Sequence, residues 1–306
     1  VLVPLLLLLV AAGGYGVVAL RGAMAAAQQR SRLLADVDAL LAAPAVDADG
    51  LSRLMSALQK FPDHATARDL LAARARLELA RDRPERAQQA FLSLAVQPGA
   101  TAAEQSLGAR ILLRLHEAGA PDPGTAAGWL AQAMELAAAA ASATADPGDL
   151  LRAWQAAERA GRSERAAGFA RQLAEQHADS PAAAFVAFAV AFDERTTAAG
   201  VDAAVAGLVP PPVEAIPLRA FALLQAGDLA GAVAAAEDGL RRAPGVGVVR
   251  WAAAAVFHTC AAASPENSSE RARWAARRDP QLDWVLAQPG LDASRARQCA
   301  AMREVR

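Results

Sequence analysis

The sequence predicts an all-α protein: an apolar N-terminal helix followed by a row of amphipathic helical hairpins. Three observations carry this. Alanine dominates the 54% hydrophobic fraction, and alanine is the best helix former while burying little area, which suits helices packed closely together. Aromatic residues make up 5% with a single tyrosine, and no run of Val, Ile and Thr at period two marks a strand. Residues 216–244 hold two apolar stripes at helical spacing around Gly227-Asp228. Ile216, Ala220, Leu223 and Leu224 precede the turn, Val233, Ala236 and Leu240 follow it, and Pro244 is the stop. Ala220 and Ala232 are small where the two helices must approach. One such hairpin cannot bury its apolar faces alone, so it has to stack on neighbours.

The chain begins with an uncharged apolar run, residues 1–20. That length suits one crossing of a hydrocarbon core ~30 Å thick. It exceeds the ~7–15-residue core of a cleaved leader, although the small residues at 22–25 offer a peptidase a site. The expectation is a retained transmembrane anchor, with Ala12, Gly16 and Ala19 forming a small-residue face for packing on another membrane helix. Residues 21–45 then carry Leu33, Leu34, Val37, Leu40 and Leu41 at helical spacing, which predicts an extension that docks on the body.

Residues 46–278 read as the repeats. A helix over 49–61 stops before Pro62. Residues 66–80 and 84–95 pair across Arg81-Asp82-Arg83, with Asp82 as the expected N-cap and Glu85 three residues later. Residues 101–117 and 124–141 pair next, turned at Gly119-Ala120-Pro121, with Asp122-Pro123 as a capping side chain followed by a first-turn proline. The alanine run 137–141 reads as a thin helix face packed closely. Asp146-Pro147 opens the pair 147–160 and 163–177, turned at Gly161-Arg162, and Ser180-Pro181 opens 181–193. A shorter helix over 201–209 leads to Pro210-Pro211-Pro212, an inter-repeat loop. After the hairpin at 216–244 come helices over 245–263 and 267–278. Asn267 and Glu270 give the spacing of a capping box, a better reading of Asn267-Ser268-Ser269 than glycosylation. Residues 279–306 are expected to form a terminal cap over the last repeat.

On these residues the chain resembles the tetratricopeptide-repeat family and its looser relatives. Ile216, Ala220, Leu223, Gly227, Ala232, Ala236 and Pro244 fall at the family's signature places, and Gly161, Ala166 and Ala170 repeat the pattern more weakly. Gly161 and Gly227 lie 66 residues apart, close to two ~34-residue repeats. A third match places Asp82 at the turn with Ala87 and Phe91 after it. The tryptophan and tyrosine of the family's first helix are missing. The resemblance implies a superhelix, an α-solenoid, whose first helices line a concave face that grips partner peptides or helices. By position that face takes Arg76, Gln155, Arg159, Phe221 and Gln225.

Little else in the chain points to chemistry. A net charge of −1 leaves no overall basic field for nucleic acid. His64, His116, His177 and His258 have no metal-ligand partner three or four residues away, and no phosphate-binding loop, nucleophile elbow or HExxH is present. Arg271, Arg273, Arg277 and Arg278 form the densest basic patch, read as a solvated helix face. Cys260 and Cys299 lie outside any CxxC motif and fit either one bridge or two unpaired core thiols. No catalytic residue, metal, cofactor or small-molecule substrate is assigned.

The sequence therefore predicts a single-pass protein of the bacterial inner membrane that binds other proteins, membrane proteins among them, as an assembly factor or adaptor. Its body is expected in the periplasm. Lys60 is the only lysine, and the arginine, alanine, glycine and proline bias suits a GC-rich bacterial genome. A fixed accessory subunit of a respiratory or photosynthetic complex is the alternative, and an enzyme assembled from scattered residues the third.

Overall fold

The computed structural model describes residues 2–43, 46–288 and 293–304, with side chains from residue 21 onward except for 293–295. Fifteen helices make up the described residues. They divide into two compact units, Val1–Gly99 and Ala100–Arg306. Among the described residues no helix is long and apolar enough to cross a membrane. The side chains of the expected anchor, residues 1–20, and its Ala12, Gly16 and Ala19 face lie outside those described.

The first unit holds α1 (Leu2–Ala42), α2 (Ala48–Leu58), α3 (Arg68–Ala80) and α4 (Pro84–Ala95). Leu33 and Val37 of α1 are buried with Leu51, Met55 and Leu58 of α2 and Ala73 and Leu77 of α3. These positions recur at helical spacing on each element, so three amphipathic stripes converge on one core. Arg30 fixes the entry of α1 into it. Its Nε donates to Asp69 Oδ2 at 2.7 Å, its Nη1 lies 2.7 Å from Asp63 Oδ2, and Nη2 also meets Asp69. The guanidinium hydrogen bond holds the Asp69 carboxyl below the usual carboxylate range.

The second unit holds five hairpins and a last helix: α5 (Ala102–Ala118) with α6 (Pro123–Thr144), α7 (Pro147–Arg159) with α8 (Ser163–Gln176), α9 (Pro181–Val190) with α10 (Ala198–Val205), α11 (Ala215–Gln225) with α12 (Leu229–Arg242), α13 (Gly247–Ala263) with α14 (Ser269–Leu286), and α15 (Ala293–Glu304). Asp122, Asp146 and Ser180 cap α6, α7 and α9 ahead of their prolines, as the sequence predicts. Thr101 and Glu104 form a reciprocal capping box on α5 that the sequence reading passed over. Ala137, Ala140 and Ala141 are buried, so the alanine run is a close-packed helix face. Five of the eight buried residues joining α11, α12 and α13 are alanines, which brings the helix axes close and leaves Phe257 and Val256 to fill the space.

Three hairpin turns are built alike. At Asp82, Gly161 and Gly227 the backbone is left-handed, with φ of 56°, 66° and 77°. In each, the following N–H reaches back five residues, from Arg83 to Glu78 O, Arg162 to Ala157 O and Asp228 to Leu223 O. This double-bonded ending satisfies the last carbonyls of the first helix and reverses the chain. The fifth residue after each turn, Ala87, Ala166 or Ala232, is at most 1% exposed. The recurrence of turn and small buried residue makes these three hairpins structural repeats of one another.

Several boundaries differ from the sequence reading. Asp82 is the left-handed residue ending α3 and not the cap of α4; that place falls to Arg83, which makes no side-chain cap bond and relies on Pro84 to start the helix. Asn267 likewise has φ of 54°, and Ser268 caps α14 from Arg271 N–H. The helix expected to end at 278 runs through Pro280 to Leu286. An interior proline costs ~3 kcal/mol, offset here by Leu282 and Val285, which the continued helix buries against Ala254 and Cys299. Residue 279 thus lies within a helix.

Candidate functional site

The five residues that the resemblance places on a concave face do not share one environment. Arg76, in the first unit, pairs with Asp38 at 2.6 Å and ties α3 to α1. Phe221 is half-buried and Gln225 exposed, four residues apart on α11. Gln155 and Arg159, four apart on α7, are in the interior. The Arg159 side chain is only 2% exposed.

What surrounds Arg159 was not foreseen. Its Nε donates to Glu214 Oε1 at 2.6 Å, and Gln155 Nε2 donates to Glu214 Oε2 at 2.7 Å. Arg159 Nη2 lies 3.0 Å from Glu117 Oε1, close enough for an ion pair although not aligned as a hydrogen bond. Arg114 Nη1 donates to Glu117 Oε2 at 3.0 Å and to the Arg242 carbonyl at 3.1 Å. Two guanidinium groups thus face two carboxylates from α5 and the start of α11, with α7 between them. The backbone joins in, since Gly245 N–H donates to the Glu117 carbonyl at 3.0 Å. A Cβ at 245 would stand 1.9 Å from the His116 carbonyl, so only glycine fits there.

Burial sets the electrostatics. Burial alone would push the Arg159 guanidinium down, but Glu214 and Glu117 raise it above its ordinary value. Burial would push the Glu214 carboxyl up, yet Arg159 holds it below the usual range. His116, beside them on α5, is pushed down to about 4 by burial, with Arg159 adding to the fall and Glu214 opposing it. At neutral pH Arg159 and Glu214 are therefore charged, beside a neutral imidazole. Charges this far from water are tolerated only when paired, and losing one partner strands the others. The arrangement is a structural tie, and it occupies the inner end of α7 with the protein's own side chains.

One signal for it was present in the sequence. Glu214 is a lone charge within VPPPVEAIP, an otherwise apolar stretch, and a carboxylate in such a setting needs a cation. Glu117 is a second, an anion in the last turn of a helix, where the dipole disfavours it unless it is paired.

The second unit also holds a cleft of about 330 Å³ among α10, α11 and α12. Val201, Val205, Pro211, Ile216 and Ala235 give it apolar walls. Two ion pairs stand at its rim, Arg219–Asp202 at 3.0 Å and Arg242–Asp238 at 3.5 Å. A cleft of this size and lining has room for one or two apolar side chains.

The arginines of α14 do not form the solvated patch expected. Arg278 is 1% exposed and donates from Nη1 to the Met302 carbonyl at 2.5 Å, tying α15 to α14. Arg277 lies over the rings of Phe257 and Trp274, 4.4 and 5.1 Å from their centroids, and pairs with Glu237. Cys260 and Cys299 are free thiols buried in separate clusters. Burial pushes both thiols up, away from the reactive thiolate. Among the described residues no group of three His, Cys, Asp or Glu side chains is placed to hold a metal ion.

No family model and no curated protein matches the sequence. Among solved structures, a tetratricopeptide repeat protein from Parabacteroides merdae ATCC 43184 aligns with 91% of this chain and 98% of its own, at 11% identity and a TM-score of 0.47. The helical-repeat architecture is carried by the chain's own recurring hairpins.

Proposed function

We propose that this chain is a helical-repeat scaffold that binds other proteins and is held at a bacterial inner membrane by residues 1–20, with its body in the periplasm. The observation that carries the scaffold reading is the recurrence of one hairpin design at Asp82, Gly161 and Gly227. Stacked hairpins expose long, rigid surfaces that suit protein partners. The cleft among α10, α11 and α12 is the contact surface we favour, with Phe221 and Gln225 on the same hairpin as secondary contacts. The uncharged length of residues 1–20 supports the tether.

The test is gentle detergent extraction of the full chain from its own cells, followed by mass spectrometry of whatever remains bound. Recovery of defined proteins that are lost when Ile216→Arg fills the cleft with charge supports the reading; recovery of none refutes it. Removal of residues 1–20 should release the chain from the membrane fraction, and protease added to cells with a permeabilised outer membrane should cut the body.

A further inference from the structure

We infer that the Arg159 cluster is a clasp that makes the second unit open and close as a single body, with its inner end shut against partners. In a simple stack each hairpin touches its neighbours and stability spreads repeat by repeat. Here the clasp joins α5 and α7 to the start of α11, skipping the hairpin of α9 and α10. The main chain makes a longer jump, where Gly245 N–H, between α12 and α13, donates to the Glu117 carbonyl 128 residues away. The links to Glu214 are buried and directional. Glu214 has both oxygens engaged by α7, one by Gln155 and one by Arg159. Glu117 shares its carboxylate between Arg159 and Arg114. If Arg159 is withdrawn Glu117 keeps Arg114, but Glu214 loses its cation, so opening at the α5 end unseats the start of α11. The inner end of α7, which the repeat resemblance assigns to partners, is thereby taken by the chain's own Glu214, and partners are left with outer surfaces such as the α10–α12 cleft.

The inference stands independently of the scaffold reading, because its test needs no partner. Glu117→Gln, Glu214→Gln and the double variant are compared by thermal unfolding of the full chain. The two carboxylates share the Arg159 guanidinium, so each single variant should lower the midpoint, and the double should fall by more than the two single shifts together, because it alone strands Arg159 without an anion. Shifts that do no more than add, or single variants that melt like the parent, overturn the clasp. Should a variant fail to fold, hydrogen exchange of the unaltered protein across a denaturant series decides. A shared opening of amides in α5, α7 and α11 supports it, and earlier loss of protection in one of them alone overturns it.

Discussion

The two units contain the same charge motif in different surroundings. In the first, Arg30 sits between Asp63 and Asp69; in the second, Arg159 sits between Glu117 and Glu214. Each joins helices that are not consecutive, and each has one arginine between two carboxylates. Arg30 is 29% exposed and its partners are more than 40% exposed, whereas Arg159 is 2% exposed and its partners 13% and 9%. Water and salt therefore screen the first site and offer replacement contacts when it breaks. The second is nearly closed to water, and its Glu214 has Arg159 as its cation, so similar motifs depend unequally on the full set of partners.

The sharpest way to break this comparison is Arg159→Met. It leaves the buried Glu214 without a cation and Glu117 with Arg114 alone, and should cost about 3–5 kcal/mol, read as a fall in the denaturant midpoint. Pairing it with Glu214→Leu should recover much of the loss, because an apolar replacement of both partners removes the stranded charge. A loss below that of Arg30→Met would dissolve the distinction between the sites.

Acid should separate the units next. The His116 pKa is about 4 in the folded chain against an ordinary 6.5, so its neutral form is the one the fold accepts. Above the unfolded value both states are neutral and stability is at its full level. As pH falls from 6.5 toward 4 the unfolded chain takes up a proton that the folded one refuses, and roughly 3 kcal/mol is lost. Glu214, lowered by Arg159, loses its contribution only below the ordinary carboxylate range. Unfolding curves at pH 7, 5.5 and 4.5 should show the second unit weakening first, with His116→Gln flattening the dependence.

These two sites also mark how far the sequence was legible. Hairpins were readable because their information is local: apolar stripes at helical spacing, prolines behind Asp122, Asp146 and Ser180, and glycines at 161 and 227. Asp82 and Asn267 were misplaced because Asp and Asn serve both as N-caps and as left-handed residues; at Asp82 the choice rests on the bond from Arg83 N–H five residues back, and at Asn267 on a turn closed from Ser268 N–H to the Pro265 carbonyl. The inner cluster was least legible. Gln155 and Arg159 were placed on a shared face by register, which is local, but their burial depends on Glu214 and Gly245 returning from far along the chain. Periodicity carries no record of such contacts; only the isolated charge in VPPPVEAIP hinted at one.

A smaller effect is expected at the exposed motif. Arg30→Met should cost about 1 kcal/mol or less, and the difference from the parent should shrink as salt rises. Thermal unfolding at low and high sodium chloride measures it. A salt-independent loss would place Arg30 in the same class as Arg159.

The last comparison is between turns. Asp82 adopts φ of 56° where Gly161 and Gly227 occupy the equivalent places at 66° and 77°. A residue with a Cβ pays roughly 1 kcal/mol in this region, less for aspartate than for most because its short side chain bonds locally. Asp82→Gly should therefore stabilise the first unit by a few tenths of a kcal/mol, the gain being reduced by the greater freedom of glycine in the unfolded chain. Gly161→Ala should destabilise the second by about 1 kcal/mol through the same geometry, since no neighbouring atom crowds a Cβ there and backbone conformation alone is changed. Opposite signs in the two melting shifts would establish the turns as equivalent positions of one repeat; equal signs would separate Asp82 from the series.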